Sequence, residues 1–460
     1  MTSEKAQATN KGVVLVVTAT ASFLAPLMVS SVNIALPSIG AEFKLDAVTL
    51  NWVATAYLLA CAVVLVPMGR IADIYGRKRI FSTGVIIYTI ASLLSAVSTS
   101  ASMLIAFRVV QGIGAAMIFG TATAILTSVF DVGERGKALG INVAVVYIGL
   151  SAGPPIGGLL TEQFGWRSIF YANLIIGVII IAGFLWRLKG EWAGARGEKF
   201  DIAGSVIYGL ALIGLMSGLS RLPDVSGFWL VITGILLLIA FVWWEIRVKS
   251  PVLNIGLFRN NTVFSLSNAA ALVNYSATYA VGFLTSLYLQ YIKGLNPETA
   301  GFVLIAMPAM QAILSPFTGR LSDKVEPRTL ASAGMGLTCA GLIALIFLNQ
   351  DTSLWFVMAA LALLGIGFGL FSSPNTNAIM SAIDKKYYGV GSGILSTMRV
   401  VGQMMSMGIV LLLFAVYIGR AEINPALYPV FLKTVRVAFI IFAALCFGGV
   451  FASLARGKTH

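Results

Sequence analysis

Apolar residues in this chain do not alternate with polar ones; they gather in long runs broken by short clusters of charged residues, glycine and proline. Cutting at those clusters leaves about fourteen runs, starting near residues 13, 49, 80, 102, 138, 168, 202, 227, 262, 299, 329, 352, 388 and 432. Each approaches the ~20 residues that an α-helix needs to cross the hydrocarbon of a bilayer. Backbone in lipid has no water to bond to, so runs of this length predict helices. The pattern predicts an all-α integral membrane protein with 14 transmembrane helices.

Composition agrees, since 58% apolar and 11% charged residues over a chain of 460 exceed what one soluble core needs. Of 31 Lys and Arg, about 22 fall in the termini and even-numbered loops, about 7 in odd-numbered loops and 2 inside spans. That asymmetry predicts a multi-pass protein of the cell (plasma) membrane with both termini cytoplasmic. The net charge of +13 raises nucleic-acid binding as a reading, but these cations flank spans, where anionic lipid headgroups attract them. The lipid bilayer is thus an expected partner and nucleic acid is not. Residues 1–12 form a short polar tail, and the first run reads as a span and not as a cleaved signal. Cys61, Cys339 and Cys446 lie inside spans with no His partner and no Cys-x-x-Cys spacing, so no metal, disulfide or cofactor is expected.

The most charged short loop, Pro67 to Arg79, is clamped between two apolar runs. Gly69 and Gly76 permit close helix approach and a tight reversal there. Asp73 is placed to accept hydrogen bonds from a neighbouring helix N-terminus. Gly69, Asp73 and Gly76 with Arg70, Arg77, Lys78 and Arg79 resemble the signature loop between the second and third spans of the major facilitator superfamily. The alternative is that the cations only set orientation. Gly319-Arg320-Leu321-Ser322-Asp323 repeats the pattern about 250 positions later, with Arg328 for the basic tail and Glu326 where Gly76 stood.

Further stretches carry the same resemblance. Leu27 to Pro37 is similar to the span-one pattern of fourteen-span drug:proton antiporters, matching at Asn33 and Pro37, with Ser30 for a threonine and Met28 at the acidic position. Ser30 and Asn33 either line the path or join helices, and Tyr57 in span two either faces the cavity or packs. Arg108 and Gln111 sit in a span-four motif whose arginine the family links to proton transfer. Burying that guanidinium costs about 2.5–3.5 kcal/mol on insertion scales, which demands a partner, a wet cavity or an anion; the alternative is a tie through backbone carbonyls. Gly149, Gly153 and Gly157 recur every four residues beside Pro154 and Gly158, a smooth and bendable face that resembles the family's antiporter motif. Tyr147 lies just before it. Asn268, Asn274, Tyr275, Tyr279, Met307, Met310 and Gln311 either form an inward face in spans nine and ten or pack, and Arg399 with Gln403 brings a second intramembrane cation in span thirteen, for the cavity or for structure.

All eighteen acids fall in tails, loops or span ends, and the single His is His460. A coupled proton would need a span-end carrier such as Asp73 or Glu162, or would pass through Arg108 with substrate or water. A cavity shared by Arg108 and Arg399 favours anionic, zwitterionic or neutral amphipathic cargo. The resemblance implies a major facilitator fold in a 6+2+6 arrangement: residues 1–187 as an N-terminal six-helix bundle, 188–261 as a linker and two extra helices, and 262–460 as a C-terminal six-helix bundle. It implies a monomeric secondary transporter that exports small amphipathic compounds in exchange for protons, by alternating access at a midplane site. The alternatives are a facilitator or exchanger of organic anions without proton coupling and, remotely, a proton-pumping subunit of a respiratory complex, which would need mid-membrane Lys and Glu. No nucleophile, base and orienting group occur together, so an enzyme is not expected.

Overall fold

The computed structural model describes residues 11–187, 191–193, 195, 197–253, 255–259, 261–322, 324–384 and 388–457, so Asp323 and His460 lie outside the described residues. The described chain is helical almost throughout. The helices are α1 (Lys11–Phe43), α2 (Ala47–Tyr75), α3 (Arg77–Ala96), α4 (Ala101–Val129), α5 (Val132–Phe164), α6 (Arg167–Arg187), α7 (Ile202–Leu219) and α8 (Val225–Glu245). After a single turn, α9 (Gly256–Arg259), come α10 (Thr262–Leu287), α11 (Pro297–Leu304), α12 (Ala306–Leu321), α13 (Pro327–Ile346), α14 (Leu354–Ser381), α15 (Tyr388–Tyr417) and α16 (Tyr428–Ala455).

Every predicted apolar run is thus a helix, with α11 and α12 sharing one run. Twelve described segments are long and apolar enough to cross a membrane, two fewer than the fourteen runs. The two that fall short have visible reasons. The described apolar part of α6 covers only Arg167–Gly183. The 26-residue α10 carries Ser265, Ser267, Asn268, Asn274, Ser276 and Thr278, which lower its hydropathy.

Local chemistry sets the helix ends. Asp46, Ser100, Asn261, Asn296 and Ser353 each accept a hydrogen bond from a first-turn amide, satisfying a donor that the helix cannot. Gly76 ends α2 and starts α3 at φ +121°, a backbone conformation that side chains with a Cβ rarely adopt.

α1 packs along α5, α2 and α3 along α4, and α3 along α6; in the second part of the chain α10 packs on α15 and α16, α12 on α14, and α13 on both α14 and α16. Across these groups α5 meets α11 and α12, while α2 meets α15. The α7–α8 pair closes on itself through glycines: a Cβ at Gly234 would fall 2.8 Å from the Leu215 amide, and one at Gly218 2.7 Å from that of Val231. It docks on α2, where the Tyr208 hydroxyl donates to the Ala62 carbonyl at 3.2 Å. The rest of α8 exposes Trp229, Leu236, Ile239 and Trp243, an apolar surface that suits contact with lipid.

Candidate functional site

The two arginines expected inside spans sit in different surroundings. Arg108 on α4 is fully buried. Its Nε donates to the Val53 carbonyl of α2 at 3.2 Å, and its Nη1 donates to Gln111 Oε1 at 2.5 Å. Gln111 Nε2 in turn donates to Ser92 Oγ on α3 at 2.9 Å. The guanidinium lies 4.5 Å from the centre of the Tyr57 ring, close enough for cation–π attraction. The Tyr57 hydroxyl has no hydrogen-bond partner, and Tyr279 of α10 interacts electrostatically with both Tyr57 and Arg108.

Arg399 on α15 is half-buried, its guanidinium 5.3 Å from the centre of the Tyr275 ring on α10. Its Nε is buried without a partner. Tyr275 also interacts with Ser372 of α14 and stands edge-on to Phe368, centroids 5.2 Å apart. The Tyr147 hydroxyl of α5 shares a 2.6 Å hydrogen bond with Ser372 Oγ, so this cluster draws on α5, α10, α14 and α15. Asn274, next to Tyr275, is buried with both polar side-chain atoms unpartnered. Tyr275 and Tyr279 are one helical turn apart on α10, and each reaches toward a different arginine.

Other expected site residues lie at seams between helices. Ser30 Oγ donates to the Leu150 carbonyl at 3.2 Å, joining α1 to α5, and the Asn33 carbonyl accepts from Ser286 Oγ of α10 at 2.8 Å. Gln311 is buried where α12 meets α14, and Gln403 is half-buried on α15; neither joins a cluster by a hydrogen bond among the described residues. Met28, at the position of the family acid, is fully buried. The α5 glycines pack as expected, with a Cβ at Gly153 falling 2.4 Å from Ser30 Cβ and one at Gly157 2.6 Å from Ser31 Cα. Gly158 faces the other way, 2.4 Å by the same measure from the Pro297 carbonyl, and the Pro154 carbonyl lies 2.3 Å from where a Cβ on Gly301 would sit. α5 is therefore a smooth slab between α1 and α11.

The signature loop differs from expectation in two ways. Asp73 pairs with the guanidinium of Arg77, not with a helix N-terminus: Arg77 Nε donates to Asp73 Oδ1 at 2.8 Å, while its Nη1 donates to the Ala124 carbonyl (3.1 Å) and Ser128 Oγ (2.6 Å) of α4. A Cβ at Gly69 would meet nothing within 4 Å, so no close approach requires that glycine. The sequence also gave no sign that the polar linker after α6 straps this loop. The Arg77 amide donates to the Trp192 carbonyl (2.8 Å), the Lys78 amide to Glu191 Oε1 (2.9 Å), and the Ala195 amide to the Asp73 carbonyl (2.9 Å). Arg70 pairs with Glu198 at 2.5 Å. In the degraded second copy, Asn377 Nδ2 donates to Ser322 Oγ at 3.1 Å.

A second fully buried arginine escaped the sequence reading because it ends the last helix. Arg456 donates to Asn375 Oδ1 (2.7 Å), Ser267 Oγ (3.2 Å) and the Pro327 carbonyl (2.8 Å), and burial presses its guanidinium down to about 10. Ser92, Ser372 and Asn375 were also missed; their only signal is a polar residue within an apolar run.

A sequence profile described as the Major Facilitator Superfamily matches residues 18–406 and, in a second and overlapping match, 266–459. The chain belongs to the major facilitator superfamily. Its relatives include the riboflavin transporter RibZ of Clostridioides difficile, 31% identical over 85% of each chain. The multidrug resistance protein Stp of Mycobacterium tuberculosis is 32% identical over 90% of this chain and 77% of that one. The tetracenomycin C resistance and export protein of Streptomyces glaucescens is 29% identical over 84% of this chain and 73% of that one. The fold matches the crystal structure of a bacterial homologue of the human lysosomal transporter Spinster, with a TM-score of 0.70 over 98% of each chain at 16% identity. This major facilitator protein is therefore a multi-pass membrane transporter of small molecules and not an enzyme.

Proposed function

We propose that this major facilitator protein exports small amphipathic aromatic compounds from the cytoplasm, across the plasma membrane, by alternating access. The observation that carries this reading is the Arg399 cluster: a guanidinium and two phenols gathered from α5, α10 and α15, with Arg399 Nε and the neighbouring Asn274 amide unpartnered. None of the ion pairs among the described residues places a carboxylate on Arg399 or Arg108. Such a site offers a ring to stack on, a cation and an amide, which suits neutral or anionic planar cargo over lipophilic cations. Relatives named for export of tetracenomycin C and for transport of riboflavin, a neutral planar aromatic, support that class.

In this reading the chain is a monomer with both termini cytoplasmic, arranged as a bundle of residues 1–187, an added pair within 188–261 and a bundle of 262–460, fourteen spans in a 6+2+6 order. Ser286 with the Asn33 carbonyl, Gln290 with the Ile34 carbonyl, and the Ala47 amide with the Ala421 carbonyl join the bundles at their outer end. Loosening of the Asp73 loop would gate the inner end. Proton antiport belongs to this reading with a carrier at a span end, Asp73 or Glu162. A second reading, exchange of organic anions without protons, is favoured by Met28 buried at the family's acidic position.

Transport by purified protein in proteoliposomes, with an imposed pH jump and neutral, anionic and cationic fluorescent aromatics, tests both. Gradient-driven movement of the neutral and anionic probes is expected. Movement of anions indifferent to the gradient supports the exchanger, and efficient movement of cations alone overturns the site assignment.

A further inference from the structure

The α7–α8 pair carries two acids that no step of transport uses. Asp201 caps α7 and Glu245 ends α8, and both are buried. Asp201 Oδ1 accepts from the Gly204 amide and Oδ2 from Trp244 Nε1, each at 2.9 Å. Glu245 Oε2 accepts from the Leu253 amide at 2.9 Å. The other Glu245 oxygen, Oε1, is buried with no partner. It points toward Asp201: a Cβ placed on Gly204 would lie 2.6 Å from Glu245 Oε1 and 2.4 Å from Asp201 Oδ2, so the space of one methyl group touches both carboxyls.

Among the described residues no Lys or Arg pairs with either acid. Arg247, just past Glu245, stacks on Trp243 at 3.8 Å. The helices packed on α7 approach it through uncharged groups, α2 by Ala62 and Val63 and α15 by Gly408. Two buried carboxylates facing each other with no cation paired to either repel, and a single proton between them removes the repulsion while giving the orphan oxygen a donor.

We propose that Asp201 and Glu245 form a proton-binding site, with one proton from solvent held between Glu245 Oε1 and Asp201 Oδ2. The site stands on this geometry whatever the cargo. It lies just beyond Glu198, the linker residue paired with Arg70 of the signature loop. Losing the proton sets two negative charges side by side where the linker enters α7, which loosens the strap on that loop.

Infrared difference spectroscopy of the full-length protein in nanodiscs, between mildly acidic and alkaline pH, tests the site. A protonated-carboxyl band that titrates away is expected in the wild type. It is expected to vanish in Glu245→Gln and in Asp201→Asn, each checked for helix content by circular dichroism. Trp244→Phe removes a donor that favours ionised Asp201, so the titration should move to higher pH. A band of unchanged size in Glu245→Gln overturns the proposal. So does a band that Trp244→Phe leaves in place, since the proton would then belong to Glu245 alone.

Discussion

Arg108 and Arg399 look alike in sequence, each a lone cation in an apolar helix followed by glutamine, yet they occupy opposite situations. Arg108 is fully buried and satisfied by the Val53 carbonyl, Gln111 and the face of Tyr57. Arg399 is half-buried, keeps an unpartnered Nε, and lies over the Tyr275 ring. A buried guanidinium that has found its acceptors ties helices together, whereas one with spare donors can still bind something. On the proposed reading, the difference gives architecture to the first arginine and recognition to the second.

The largest effect is expected at Arg108. Arg108→Leu strands Gln111 Oε1 and removes the α4–α2 tie to the Val53 carbonyl, at about 1–3 kcal/mol for the buried group left unpaired. Thermal unfolding should shift down sharply, and transport should fall for every cargo alike. Arg399→Gln should leave the unfolding temperature nearly unchanged while weakening anionic cargo roughly 10–100-fold, the worth of one charged hydrogen bond. Tyr275→Phe, read by KM for one anionic cargo, should cost a few-fold, since a neutral hydrogen bond contributes about 0.5–1.5 kcal/mol. Smallest is Ser92→Ala, which removes the outer acceptor of the Arg108 network; a stability loss of about 1 kcal/mol with unaltered cargo preference is expected. A cargo-selective phenotype at Arg108 or Ser92, or a purely stability-linked one at Arg399, would break the comparison.

What the sequence made legible follows from how locally each feature is determined. The α5 glycines were readable because small residues every four positions on a helix have one plain use, and a Cβ at Gly153 or Gly157 does collide with α1. Gly76 was readable because two long helices with no loop between them need a reversal that only glycine makes easily. Gly69 looked equivalent but faces open space. The contrast between the arginines was not legible, since what separates them is a backbone carbonyl on one helix and a Tyr147–Ser372 contact between residues 225 apart. The strap of Glu191, Trp192 and Glu198 was hidden for a similar reason: a mixed Gly, Glu, Arg and Lys segment reads as solvated, and most of its bonds go to backbone atoms. The fourteen long runs were legible, whereas the short α9 and the break between α11 and α12 were not; polar residues lowered the apolar signal of α10, and α6 fell short in described length.

The most direct test of the central claim is equilibrium binding of one planar aromatic scaffold in anionic, neutral and cationic forms to the wild type and to Arg399→Gln. Titration calorimetry on the detergent-solubilised protein gives each affinity. The anionic and neutral forms are expected to bind the wild type, with the anionic form losing most in Arg399→Gln and the cationic form binding neither protein well. Tightest binding of the cationic form to the wild type, unaffected by Arg399→Gln, would contradict a recognition site built around that arginine.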